Sequence, residues 1–238
     1  MKARLRVVGL IPARGGSKGV ARKNLRLLGG RPLLSWTADA ALSAETLDRV
    51  VLTTDDPEIA AAGRAQGLDV PFLRPAALAA DDTPTLDVVR HALWWLEQSG
   101  DRFDVLVLLQ PTSPFRAPGI IDQAVKILQE RNATSVISVR PVPHRYNPHW
   151  VFQPDRDGVL RLASGEREPL PRRQLLPEAY IRDGRLYAVR TEVVLEQGSL
   201  YGDRCLPLYQ CDLEDINLDT LEDFATAERL LARSNGQA

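Results

Sequence analysis

Two cysteines, three histidines and a single methionine in 238 residues leave the chain few of the side chains from which metal, redox or nucleophilic centres are built. Cys205 and Cys211 lie close together near the end of the sequence in a spacing that fits no zinc or redox motif, and both are expected as small, mostly buried residues. His91, His144 and His149 form no metal set by spacing, and no Ser-His-Asp or Cys-His arrangement is visible. Long apolar runs are also missing: none approaches the roughly 20 residues that span a bilayer. The run behind the basic N-terminus, Leu5 to Leu10, leads straight into a loop, so no signal peptide and a cytosolic protein are expected. A formal net charge of −1 speaks against a general nucleic-acid or membrane-surface binder. There is no internal repeat or low-complexity tract. One further absence is local. From Met1 to Ala38 there is no Asp or Glu, yet nine Lys or Arg residues stand there.

That basic field centres on Leu10-Ile11-Pro12-Ala13-Arg14-Gly15-Gly16-Ser17-Lys18-Gly19-Val20-Ala21-Arg22-Lys23-Asn24, which follows the apolar run. Gly15, Gly16 and Gly19 let the backbone turn and bring N–H groups against an anion, while Arg14, Lys18, Arg22 and Lys23 supply charge. The pattern suits a phosphate cradle. It matches neither the Walker A nor the dinucleotide spacing. From spacing alone it reads also as an ordinary glycine-rich strand-to-helix turn with solvated basic residues.

The rest of the chain alternates. A helix is expected over Pro32 to Ala44, a strand over Arg49 to Thr53 ending in Thr54-Asp55-Asp56-Pro57, a helix over Glu58 to Gln66 and an extended stretch over Leu68 to Leu73. A helix from Thr83 carries Leu86, Val89, Leu93 and Leu96 on one face, with Trp94 and Trp95 as core or partner-facing aromatics. Asp104 to Leu109 reads as a central parallel strand, followed by Gln110-Pro111-Thr112-Ser113-Pro114-Phe115-Arg116, a helix over Pro118 to Glu130 and a strand over Ser135 to Val139. Between Arg140 and Pro177 the rhythm lapses into prolines, arginines and aromatics, read as an inserted hairpin and loop. A strand over Arg185 to Val189, a short helix after Thr191, a strand over Leu206 to Cys211 and an amphipathic helix over Asp219 to Ala232 complete an α/β pattern with a mainly parallel sheet.

LIPARGGSKGVARKNL is similar to the signature of the N-acylneuraminate (CMP-sialic acid) cytidylyltransferases, and further motifs extend the resemblance over roughly Leu5 to Leu231. It implies a Rossmann-like three-layer nucleotidyltransferase fold formed by residues 1–139 and 178–238, with 140–177 as a dimerisation insertion that packs on a second subunit. The implied reaction is attack of the anomeric hydroxyl of a nine-carbon 2-keto sugar acid on the α-phosphate of CTP, with release of pyrophosphate. Such a site must neutralise a triphosphate and align two reactants.

By that resemblance Arg14, Lys18 and Lys23 serve the phosphates, with Ala13, Gly15, Gly16 and Ser17 forming the cradle and Asn24 reaching the ribose. Arg74-Pro75-Ala76 and the following Ala79 to Thr85 resemble the cytosine-reading segment, so Arg74, Thr83 and Thr85 are expected at the base. Thr83 or Thr85 also reads as a helix cap. Gln110, Thr112 and Ser113 resemble a Gln-Pro-Thr-Ser-Pro element and are expected at the sugar. So are Arg173, Gln174 and Tyr187, from elements resembling Arg-Gln-x-Leu-Pro and Asn-Gly-x-Ile/Leu-Tyr. An Arg there suits a planar carboxylate.

Asp215-Ile216-Asn217-Leu218-Asp219-Thr220 stands where the family carries Asp-x-Asp for Mg²⁺. Asn217 replaces the first carboxylate, leaving Asp219 with support from Asn217 or Asp215. Asp219 and Thr220 also read as a cap for the last helix. The expected partners are CTP, a sialic-acid-like sugar and a second copy of the chain. A 3-deoxy-manno-octulosonate cytidylyltransferase and a turnover-free nucleotide-sugar binder are the competing readings. Lys23-Asn24 and Arg173-Gln174 count against the first, and Asn217 keeps the second in view.

Overall fold

In a computed structural model, which describes residues 4–209 and 216–235, the chain forms β1 (Val7–Pro12), the short β2 (Leu27–Leu28) and β3 (Arg31–Pro32), α1 (Leu33–Leu42), β4 (Arg49–Thr53), α2 (Pro57–Ala65), α3 (Thr85–Gln98), β5 (Val105–Leu108) and α4 (Ile120–Glu130). The second half adds β6 (Ser135–Pro141), the hairpin strands β7 (Phe152–Pro154) and β8 (Leu160–Leu162), β9 (Tyr180–Arg190), α5 (Thr191–Glu196), β10 (Cys205–Tyr209) and α6 (Leu221–Asn235). Six strands form one sheet in the order β10-β6-β9-β5-β1-β4. β1 is parallel to both β4 and β5, and β10 is parallel to β6. The chain leaves β1 toward β4 on one side and returns over it to β5 on the other, which makes β1/β5 the switch point where loops part and ligand crevices open.

The three layers follow from alternation along apolar strands. Val7, Ile11, Val105, Val107 and Leu109 point to one face, where Leu34, Ile59 and Ile121 of α1, α2 and α4 cover them. Val8, Leu10, Leu106 and Leu108 point to the other, beneath Val89, Leu93 and Leu96 of α3 and Val193 of α5. Burial on both faces is why these strands read as near-continuous apolar runs. A smaller cluster joins Val20 of the loop after β1 to Ile216, Leu218 and Phe224 at the entry to α6.

The mainly parallel α/β fold stands as expected, with one difference. β9 is an eleven-residue strand antiparallel to both its neighbours, β5 and β6. Cys205, at the first position of edge strand β10, is half-buried rather than core, and Cys211 lies outside the described residues. Trp94 is exposed, whereas Trp95 packs on Phe72 with ring centroids 5.1 Å apart. Among the described residues no helix is long and apolar enough to cross a membrane.

Candidate active site

Past β1 the chain crosses the carboxyl edge of the sheet. Ala13 stays in the core with its N–H donating to Thr53 O at 3.0 Å. Arg14 then emerges, and its carbonyl accepts Asn24 Nδ2 at 3.0 Å, folding the loop onto a single tight turn at Lys23–Leu25. Gly15 passes over the start of α2: a Cβ there would lie 2.7 Å from Oδ2 of Asp56, the residue whose side chain caps that helix. The Gly15 N–H donates to Asp55 Oδ1 at 3.0 Å, so one amide of the cradle is engaged within the protein. Gly16 is exposed with nothing within 4 Å of a would-be Cβ, Ser17 is half-buried and Lys18 exposed.

A cleft opens between this loop and the loop after β5. Its lining includes Arg14, Lys23, Asn24, Arg74, Thr83, Thr85, Gln110 and Thr112, so eight residues from three separate sequence motifs converge on one opening. Thr83 and Thr85 do not cap α3: Pro84 holds the cap position and no side chain caps it. Three carboxylates balance the cations. Asp81 bridges Arg14 Nη2 at 2.6 Å and Lys18 Nζ at 2.7 Å, Asp219 faces Lys23 Nζ at 2.8 Å, and Asp55 faces Arg74 Nη2 at 3.6 Å. The Lys18 hydrogen bond, with Arg14 beside it, holds the Asp81 carboxyl below its ordinary range. Arg74 is 5% exposed, burial lowers its pKa, and its Nε is buried with no hydrogen-bond partner. Such a donor is costly unless a ligand oxygen reaches it.

The loop before α6 forms the far wall. Ile216 and Leu218 are buried, so alternation turns Asn217 and Asp219 outward, and the Asn217 amide donates to Asp219 Oδ2. The cap of α6 is made elsewhere. Thr220 Oγ1 accepts the Asp223 N–H at 3.2 Å, and Asp223 Oδ2 reaches back to the N–H groups of Thr220 at 2.7 Å and Asp219 at 2.9 Å, a reciprocal capping arrangement. The Asp219 carboxylate is thereby left to Lys23 and the Asn217 amide. Among the described residues no group of three or more His, Cys, Asp or Glu side chains is placed to hold a metal, and Asp215 lies outside them.

Four of the expected sugar residues do not reach this cleft. Ser113 is buried, its hydroxyl donating to Asp183 O at 3.2 Å. Tyr187 is corrected to a core residue: on β9 it alternates toward α3 and α5, and at 3% exposure it has no surface for a ligand. Its hydroxyl accepts from Arg182 Nη1 at 3.1 Å instead. Arg173 and Gln174 are exposed on a tight turn between β8 and β9, outside the lining of the cleft.

Sequence reasoning passed over the groups beneath the site. Arg116 donates to Gln110 O at 2.8 Å, Arg185 O at 3.0 Å and Thr37 Oγ1 at 2.9 Å, clamping the loop after β5 onto β9 and α1. Burial, with Arg185 nearby, pushes its pKa down to about 9, which still leaves it charged at neutral pH. Arg185 is itself buried and pairs with Asp183 at 2.8 Å. The signal available was Arg116 at the end of the Gln110 to Phe115 motif.

A family described as cytidylyltransferase matches residues 8–232. The chain is 35% identical over 228 residues to CMP-N,N'-diacetyllegionaminic acid synthase of Legionella pneumophila, covering 95% of this chain and 97% of that one. It is 29% identical over 236 residues to N-acylneuraminate cytidylyltransferase of Escherichia coli O18:K1:H7, covering 98% of this chain and 54% of that longer protein. Among solved structures, CMP:2-keto-3-deoxy-manno-octonic acid synthetase complexed with CTP superposes with a TM-score of 0.71 at 17% identity, over 96% of this chain and 99% of that one, a likeness of fold. With a match spanning nearly its whole length and a cation-lined cleft at the switch point of the sheet, the chain belongs to the cytidylyltransferase family.

Proposed function

We propose that the enzyme transfers CMP from CTP to the anomeric hydroxyl of a nine-carbon 2-keto sugar acid of the sialic or legionaminic type, in the cytoplasm, and releases pyrophosphate. The observation that carries this reading is the convergence of Arg14, Lys23, Arg74, Thr83, Gln110 and Thr112 on one cleft. Arg14 and Lys18 would exchange Asp81 for the triphosphate, Lys23 would meet the α-phosphate, and the partnerless Arg74 Nε would donate to the cytosine carbonyl. Gln110 and Thr112 then face the sugar. Catalysis rests on alignment and charge neutralisation, with no side-chain nucleophile.

Mg²⁺ fits the outward pair before α6. Asp219 offers hard carboxylate oxygens there, and Asn217, whose amide nitrogen donates to Asp219 Oδ2, would add its carbonyl oxygen once the amide turns over; Mg²⁺ commonly takes only one or two carboxylates plus substrate phosphates. Bound there, it would neutralise phosphate charge. A homodimer through the insertion is part of the reading. Tyr146, Leu160 and Leu175 are exposed there, Leu160 at 64%, and a partner subunit is the simplest way for Arg173 and Gln174 to meet a sugar.

The test is pyrophosphate release from CTP with a panel of sugar acids, with mass detection of the CMP-sugar and light scattering of the same sample. Turnover with a nine-carbon acid by a dimer is the expected result. Exclusive turnover of an eight-carbon acid, or CTP binding without product, overturns the reading.

A further inference from the structure

Asp55 has no part in the roles assigned so far, because the cap of α2 is its neighbour Asp56, which accepts from Glu58 N at 2.7 Å. Its place is between the loop after β1 and Arg74. Oδ1 of Asp55 accepts the Gly15 N–H at 3.0 Å and lies 3.6 Å from Arg74 Nη2, so a single carboxylate oxygen serves both the phosphate loop and the buried guanidinium. The backbone reinforces the link: Arg74 N–H donates to Thr54 O at 2.7 Å, and Asp56 N–H donates to Thr54 Oγ1 at 3.1 Å. Arg74 needs such support. Its side chain is 3% exposed, and burial and the nearby Arg14 both oppose its charge, which Asp55 alone favours.

We propose that Asp55 is a positioning residue that ties base recognition to phosphate binding, setting the distance between Arg74 and the Gly15 turn so that one nucleotide can engage both. The inference rests on the reading of Arg74 as the donor to the base. The shared oxygen makes the two arms separable. Asp55→Asn keeps a carbonyl oxygen for the Gly15 N–H but removes the charge that steadies Arg74, whereas Asp55→Ala removes both.

The experiment measures kcat and KM for CTP, and the preference for CTP over UTP, in Asp55→Asn, Arg74→Gln and the double variant, with Asp55→Glu as a charge-retaining control. Expected for Asp55→Asn is a rise in CTP KM of about tenfold, a much smaller change in kcat and an eroded CTP preference, since uniform binding is lost rather than transition-state contact. In the Arg74→Gln background the second substitution adds little, and Asp55→Glu recovers part of the preference. A general loss of folding would lower active fraction without moving the preference. Unchanged KM and preference in Asp55→Asn, with Arg74→Gln impaired, overturn this inference and leave the base reading standing. Equal penalties in both backgrounds also overturn it. Wild-type CTP affinity in Arg74→Gln overturns both.

Discussion

The α-carbon of Gly19 faces the main-chain carbonyl of Asp219 so closely that a Cβ would lie 2.1 Å from its oxygen. The loop after β1 and the loop before α6 are therefore in close backbone contact, and the Lys23 to Asp219 pair joins the same two loops. Gly19→Ala is expected to cost about 1–3 kcal/mol of stability through overpacking and to lower turnover by parting the two loops. Gly16→Ala, where a Cβ meets nothing within 4 Å, should keep the wild-type thermal midpoint. Thermal melts of both variants check this, and equal midpoints would count against the contact.

Arg14→Ala and Lys18→Ala should lose most activity while the fold survives, since charge-assisted contacts of this kind are worth about 1.5–3 kcal/mol before any transition-state charge develops. Asp81→Asn should act in the opposite sense on anions, because it releases the two cations that Asp81 bridges. Calorimetric titration with pyrophosphate should show tighter binding to Asp81→Asn and weaker binding to the two alanine variants.

For the metal, Asn217→Asp should restore a pair of carboxylates and lower the Mg²⁺ concentration at half-maximal rate. Asp219→Asn should abolish metal-dependent turnover with little change in thermal midpoint, because Thr220 and Asp223 already cap α6. Initial rates against Mg²⁺, beside melts, decide. Full activity of Asp219→Asn would place the metal elsewhere.

His91 supplies a pH dependence. Burial lowers its pKa from 6.5, Arg74 adds to the effect, and its Nδ1 is buried without a partner between Phe72 and Trp94. The unfolded chain thus binds this proton more readily than the folded one, so stability falls as pH drops through about 6.5 and levels off below the folded value. His91→Phe should flatten that limb, read as a smaller difference in thermal midpoint between pH 7.5 and 5.5 than in the wild type.

What the sequence showed well was whatever is local. β1, β4 and β5 announce themselves as apolar runs stopped by polar loops, and residues of the loops after β1 and β5, Arg14, Lys23, Gln110 and Thr112, are among those that reach the cleft. Long-range charge pairing was not legible, since nothing local joins Asp81 to Arg14 or Asp55 to Arg74. The direction of β9 was not legible either. A strand's composition carries no arrow, and its exposed start, Tyr180-Ile181-Arg182, hid its true length. Ser113 and Tyr187 sat inside matching motifs but turned into the protein, an outcome set by the pleat and by the Asp183 contact rather than by residue type.

The reversed strand also governs how the enzyme can be made. β4, β1 and β5 pair among themselves within the first 108 residues, so that half of the sheet can form early, yet the outer edge of Val105–Leu108 is completed only by Tyr187–Arg190 of β9. At ribosomal speeds of about 5–20 residues per second, that edge waits roughly 4–15 s for its partner. During that interval a nascent chain carries a fully apolar strand with one open edge, the surface on which two neighbouring nascent chains would join.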